Sequence, residues 1–236
     1  MNLLMKKGGI KFNLREDEEQ VINEAFIEDP YRIETIERGG IVIDIGAHIG
    51  TFALRCAIER DCMVYAYEPN HSTYELLVEN VTINGLEGKV IPFKLAIGRV
   101  VGKRSFYSRP YHHVSSSLYL NHYTKDAPGY LTSEVQCTTL KQIFEDNDIS
   151  ECVALKIDCE EAEEEVFSEE SEKYFKRASY VALEWHFYDG RVYADYLSNL
   201  GFSTLLTGCG DPPPPYHITF ARGYLYGWRV RDVRFS

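Results

Sequence analysis

The run Ile-Val-Ile-Asp-Ile at residues 41–45 leads directly into Gly46-Ala-His-Ile-Gly50 and then into a stretch with helical spacing. A short, β-branched apolar run of this kind is the mark of a strand buried on both faces. After the turn, Phe52, Leu54, Cys56 and Ala57 offer one apolar side of a helix. Strand, tight turn and helix in that order is the opening unit of an α/β sheet, and in open α/β sheets ligands bind beyond the carboxyl ends of the strands. Gly46, lacking a Cβ, permits a tight turn and a close approach to the backbone. Gly50 opens the helix, whose free N–H groups favour an anionic or electron-rich ligand.

The rest of the chain repeats the alternation. Strands are expected at residues 63–67, 90–97, 103–109, 134–138, 153–157 and 180–185, with another opened by Gly201-Phe202. Helices are expected at 51–60, at 72–83 (closed by the turn dipeptide Asn84-Gly85), at 140–145, from 161 to 167 and at 192–200. This order predicts a mostly parallel sheet with helices on both faces and an antiparallel C-terminal element after the stiff connector Pro212-Pro-Pro-Pro215. Residues 1–40 read as a helical and irregular extension, with a helix around 31–38 and a break at Gly39-Gly40. Residues 41–236 then form the main domain, carrying an aromatic-rich insertion near 103–134.

The second strand ends in Glu68, roughly twenty residues beyond the glycine turn, where an acid accepts hydrogen bonds from both hydroxyls of a ribose. Turn and acid together indicate an adenosine-containing cofactor without saying which. Ala47 and His48 in the turn, Pro69 and Asn70 after the acid, and Ala96 at the end of the third strand complete the expected cofactor wall. Dinucleotide folds prefer G-x-G-x-x-G around a pyrophosphate. Here Asp44 precedes the turn and His48 fills the intermediate position. A carboxylate there repels a pyrophosphate but suits the amino group of a methionine moiety, which favours S-adenosylmethionine.

IVIDIGAHIGTFAL, followed by VYAYEPN, resembles the FkbM-type methyltransferases. The likeness continues through SSSL at 115–118, VQCTTL at 135–140 and LKIDCEEAEEEVF at 155–167, and so covers roughly residues 41–186. It implies a Rossmann-like methyltransferase fold, S-adenosyl-L-methionine as cofactor and O-methylation of a hydroxyl on a sugar, glycan or natural product. One position departs from the pattern: the family has a glycine after Asp-x-Glu, and this chain has Glu161.

Methyl transfer to a hydroxyl needs alignment of the acceptor and a base to take its proton. The resemblance places Asp158 and Glu160 at the family's acidic motif, beside cofactor and acceptor. Glu184 and His186 stand at alternate positions on a strand end and so share a face, where an acid-oriented imidazole can accept a proton near neutral pH. Glu163, Glu164 and Glu165 read instead as first-turn acids on a solvated helix face. Tyr107, Tyr111, His112, His113, Tyr119, His122 and Tyr123 suit either a carbohydrate acceptor, a packed loop or an oligomer contact. No metal site is expected, since no acid lies near His112, His113 and His122 in sequence.

Bulk properties narrow the partners. There is no run of eighteen apolar residues, so no membrane span is expected, and the N-terminus lacks a signal-peptide pattern, which makes the cytoplasm the expected address. The formal net charge of −11 argues against nucleic acid as a partner. Three arginines (229, 231 and 234) fit one face of a strand as well as they fit a basic patch. The six cysteines show no zinc or redox spacing. A methyltransferase of RNA or protein, and a non-catalytic adenosine-cofactor-binding or assembly module, are the alternative readings.

Overall fold

The computed structural model describes residues 3–15, 18–109, 112–119, 130–186, 189–207 and 222–229. The proline connector and Arg231 and Arg234 lie outside them.

The chain opens with a hairpin of β1 (Leu3–Lys7) and β2 (Ile10–Leu14), followed by α1 (Glu19–Ile27). The helix expected at 31–38 is only a 3-10 turn at Ile33–Thr35. The local chemistry explains this. Pro30 lacks an N–H, Asp29 and Arg32 adopt left-handed φ values of 45° and 49°, and the Asp29 carboxylate takes the Ile33 N–H at 2.9 Å.

The alternating elements then follow as β3 (Ile41–Ile45), α2 (Thr51–Glu59), β4 (Met63–Tyr67), α3 (His71–Ile83) and β5 (Val90–Phe93). Asn70 caps α3 by accepting from the Ser72 N–H at 3.1 Å. The strand expected at 90–97 is two strands in two sheets. Pro92 in β5 is tolerated because β5 is an edge of the main sheet, and the chain leaves that sheet at Lys94-Leu95 before β6 (Ala96–Ile97). Next come β7 (Gly102–Arg109), β8 (His112–Ser117) and β9 (Leu131–Thr138). With β6 they form a four-stranded sheet ordered β6-β9-β7-β8, so a part of the insertion read as loop is a strand.

The main architecture resumes with α4 (Leu140–Asp146), capped by Thr139, then β10 (Ala154–Ile157), α5 (Glu163–Val166), α6 (Glu172–Phe175) and β11 (Tyr180–His186). It closes with α7 (Gly190–Asn199), β12 (Ser203–Thr207) and β13 (Arg222–Trp228). The seven-stranded sheet is ordered β12-β13-β11-β10-β3-β4-β5. Its pairings are parallel from β11 through β5, and β13 runs antiparallel to both neighbours. The fold is therefore α/β, with a mostly parallel sheet, helices and an antiparallel C-terminal element. Among the described residues no helix is long and apolar enough to cross a membrane.

Two apolar layers sandwich the sheet. One joins Val42, Val64 and Ala154 to α2, α3 and the N-terminal residues Ile10, Phe12, Ile22 and Ile33. The other joins Ile43, Leu155 and Leu183 to α4, α6 and α7. The N-terminal segment thus packs into the same core as the sheet. Strand order reverses direction at β3, with β4 on one side and β10 on the other, which opens a crevice at their carboxyl ends.

Candidate active site

The crevice begins where β3 becomes α2. The Gly46 and Ala47 N–H groups both donate to the Tyr67 carbonyl, at 3.0 and 2.9 Å, which folds the turn back over β4. Gly46 has a φ of 74°, and a Cβ built there would lie 1.6 Å from the Asp158 carbonyl oxygen. The glycine is therefore required by the packing of two strand ends, more directly than by any ligand. Gly50, at φ 93°, makes room for the Leu77 side chain in the same way.

Glu68 is pinned at the end of β4. Its carboxylate accepts from the His48 N–H at 3.0 Å and from the Asn70 N–H at 2.8 Å. Burial pushes this carboxyl up to about 7, against the pull of those two donors toward the charged form. Asp44 is fully buried, with Oδ1 3.2 Å from the Lys156 ammonium, while Oδ2 has no hydrogen-bond partner. Burial raises its pKa and Lys156 opposes the rise. One buried acid with an unfilled acceptor and a second acid held at the next strand end form a set that fits an adenosyl cofactor carrying an ammonium group. Pro69 and Asn70 are half-buried beside Glu68. Ala96 is buried in a cluster with Phe106, Leu118 and Ala162.

On the other side of the crevice, β10 and β11 bring four predicted residues together. The register sets Ile157 beside Leu183, so Asp158 follows next to Glu184. His186 Nε2 is 3.5 Å from Glu184 Oε1 and 3.6 Å from Glu160 Oε2, and its Nδ1 is 3.1 Å from Glu163 Oε1. Burial alone lowers the imidazole pKa. The surrounding carboxylates, Glu160 foremost, reverse that and hold it well above the usual histidine value. Burial and the neighbouring acids likewise push Glu160 up, with His186 opposing.

Three site residues are not legible in the sequence as functional. Tyr31 reaches in from the N-terminal segment, its hydroxyl 2.8 Å from Asp158 Oδ2 and 2.9 Å from Glu184 Oε2. Nothing local signals this, because the partners lie 127 and 153 residues away. Lys156 is 3% exposed and donates to the Gly46 carbonyl at 2.6 Å; a lysine inside an apolar strand was its available signal. Glu163 is the third. Together with Glu165 it corrects the solvated-face reading, since the two are 0% and 7% exposed. Glu165 binds Arg104 and the Tyr119 hydroxyl, tying α5 to the smaller sheet. Tyr119 is thus committed to a packing contact. Tyr111, His122 and Tyr123 lie outside the described residues.

Between the turn and the N-terminal segment lies an open pocket of about 450 Å³, counting the space at its mouth. Tyr31, Gly46, His48, Phe52, Lys156 and Asp158 are among its walls.

Glu161, where the resembled pattern has glycine, has a φ of 79°. The glycine-type backbone is kept in spite of the side chain. Glu161→Gly is expected to raise stability by roughly 0.5–1 kcal/mol, because left-handed geometry costs a residue bearing a Cβ more than glycine. Thermal melting of the two proteins checks this, and a lower midpoint for the variant contradicts it.

The methyltransferase FkbM domain model matches residues 44–204, more than half of the chain. A tRNA (guanine(37)-N(1))-methyltransferase of Batrachochytrium dendrobatidis is 26% identical over 130 residues, covering 54% of this chain and 26% of that protein. The hexuronic acid methyltransferase AglP of Haloferax volcanii is 33% identical over 78 residues, covering 33% of this chain and 31% of AglP. The matches thus span less than a third of either relative's length. Among solved structures, an rRNA methylase from Streptococcus thermophilus superposes with a TM-score of 0.50 at 10% identity, covering 88% of this chain and 96% of that one. That likeness concerns the fold.

Proposed function

The chain belongs to the FkbM methyltransferase family, and on that premise we propose that it transfers a methyl group from S-adenosylmethionine to a hydroxyl of a sugar residue or similar polyhydroxylated small molecule. The observation that carries the reading is the meeting of Asp158, Glu160, Glu184 and His186 across the crevice from the Gly46 turn.

When bound, the family's cofactor, S-adenosylmethionine, supplies an electrophilic methyl group on a sulfonium sulfur. The chain's residues supply the rest. Glu68 would accept the ribose hydroxyls and Asp44 would take the amino group, with Ala47 and His48 forming the turn between them. A sugar hydroxyl is a poor nucleophile until its proton is taken, and the carboxylates at the ends of β10 and β11 are the acceptors within reach, since the surrounding acids hold the His186 imidazole in its charged form. Tyr31 holds Asp158 and Glu184 in place, and Lys156 lies 3.5 Å from Asp158. As the methyl group moved from sulfur to the acceptor oxygen, the hydroxyl proton would pass to a carboxylate of the cluster.

The similarity to a sugar-acid methyltransferase over 78 residues supports a carbohydrate acceptor. The longer similarity to a tRNA methyltransferase supports a second reading, a nucleic-acid acceptor. Against it stands the net charge of −11, which repels a phosphate backbone. Incubation with tritium-methyl S-adenosylmethionine and separate pools of neutral glycans, uronic-acid glycans, tRNA and protein decides between them. Alkali-stable label in a glycan pool is expected. Label confined to tRNA or protein would overturn the proposed acceptor.

A further inference from the structure

The cluster at the ends of β10 and β11 holds more negative charge than its cations balance. Asp44, Asp158, Glu160, Glu163 and Glu184 converge on one ammonium, Lys156, and one imidazole, His186. The Tyr31 hydroxyl has one proton to give, yet stands within 2.9 Å of oxygens from two different carboxylates. Glu163 is fully buried, and while its Oε1 meets His186, its Oε2 has no hydrogen-bond partner. A buried carboxylate oxygen left in that state is costly unless a positive charge lies close by.

We propose that Asp158, Glu160 and His186 bind a divalent metal cation at the ends of β10 and β11, where Asp158 also borders the pocket. One ligand atom from each of the three lies within 4.8 Å of the others. With metal–ligand bonds of about 2.1 Å, neighbouring ligands of a tetrahedral ion stand ~3.4 Å apart and opposite ligands of an octahedral one ~4.2 Å apart. The 3.6 Å between His186 Nε2 and Glu160 Oε2 is long for a hydrogen bond and close to the first of those separations. Small side-chain shifts bring the third ligand in.

The imidazole is also held as metal-binding histidines are. Its Nδ1 faces the buried Glu163 carboxylate at 3.1 Å, so Nδ1 keeps its proton while a metal cation displaces the one on Nε2, the nitrogen that lies 3.6 Å from Glu160. A mixed set of one imidazole and carboxylates accommodates first-row divalent cations such as Mn²⁺. Glu184, 3.5 Å from Nε2 on the same strand, is left beside the ion. The consequence for catalysis rests on the proposed methyl transfer. A cation there lowers the pKa of an acceptor hydroxyl bound to it, leaving Glu184 to take the proton, and it lets an anionic sugar approach the carboxylate cluster. The binding site itself does not depend on that reading.

The test is a titration of chelator-stripped, full-length protein with MnCl₂, followed by the electron paramagnetic resonance of free Mn²⁺. Neither S-adenosylmethionine nor an acceptor is present, so failure here is separate from failure of the methyl-transfer reading. One Mn²⁺ per chain is expected, with affinity reduced at least about tenfold in Glu160→Gln and in His186→Gln. Glu134→Gln, on the exposed Lys103 pair of the smaller sheet, serves as the control and keeps wild-type affinity. Glu160 is 31% exposed, so its variant is expected to fold even if the histidine variant does not, and the melting curve of each verifies this. Absence of stoichiometric Mn²⁺ binding by the folded wild-type protein overturns the proposal and leaves protons as the balancing charges. Binding that is unchanged in folded Glu160→Gln overturns it equally.

Discussion

Asp158→Asn is expected to lower the rate of methyl transfer by about 10²–10⁴-fold while S-adenosylmethionine still binds. The substitution keeps the size of the side chain and the acceptor that Tyr31 uses, and removes the charge. Asp158 is in contact with Tyr31 and 3.5 Å from Lys156, and it faces the pocket. The loss should therefore appear in turnover and not in cofactor affinity, because Glu68 and the Gly46 turn lie on the other strands. Single-turnover transfer to the acceptor found in the glycan screen measures it directly. A rate within twofold of the wild type contradicts a role for Asp158 in the reaction.

Gly46→Ala is expected to cost about 3 kcal/mol or more in stability. A left-handed residue bearing a Cβ costs ~1–2 kcal/mol, and forcing a methyl group into filled space adds ~1–3 kcal/mol. Here the obstacle is a backbone carbonyl, that of Asp158, 1.6 Å from the added carbon. A flexible side chain can move aside, as Leu77 can at Gly50, but the end of β10 cannot move without carrying Asp158 with it. For a domain of this size the change is a fall in melting temperature of roughly 6–12 °C. Cofactor affinity and turnover should fall together, since the turn and Asp158 are displaced as one unit. A melting temperature within about 1 °C of the wild type contradicts this account of the turn.

The sheet was legible because its strands are short, apolar and β-branched. Ile41–Ile45 and Met63–Tyr67 are found where the sequence pattern expects them. Misreadings fell where local chemistry competes with periodicity. The stretch at 31–38 has helical composition, but Pro30 and the Asp29 side chain compete for its backbone. The strand expected at 90–97 divides because an edge strand can end wherever its single neighbour does. Glu163 shows a different limit. A helix of four residues has no long polar face, so an acid in its first turn is as readily turned inward to an imidazole as outward to solvent.

The glycine turn, Glu68 and the pair Glu184 and His186 were visible because each occupies a strand end, a position defined by sequence order alone. Tyr31 was invisible for the opposite reason: it enters the site from a segment that precedes the sheet, and only the folded chain brings it to Asp158. Gly46 was seen for its backbone freedom, but its closest demand comes from β10, a strand more than a hundred residues later.

The central claim is that S-adenosylmethionine is held at the ends of β3 and β4 with Glu68 on its ribose. Calorimetric titration of the protein with S-adenosylmethionine and, separately, with NAD, at pH 6 and pH 8, tests it most directly. The folded, ligand-free protein holds the Glu68 carboxyl near 7 through burial, so this group favours the native state when protonated, below the ordinary carboxylate range, and that contribution is lost as pH rises toward 7. Ribose hydroxyls donate to the charged form, so binding is opposed by protonation below 7. The account predicts one S-adenosylmethionine per chain, bound more tightly at pH 8 than at pH 6 by up to about tenfold, and no saturable binding of NAD. Absence of S-adenosylmethionine binding at both pH values, or equal binding of NAD, would contradict it.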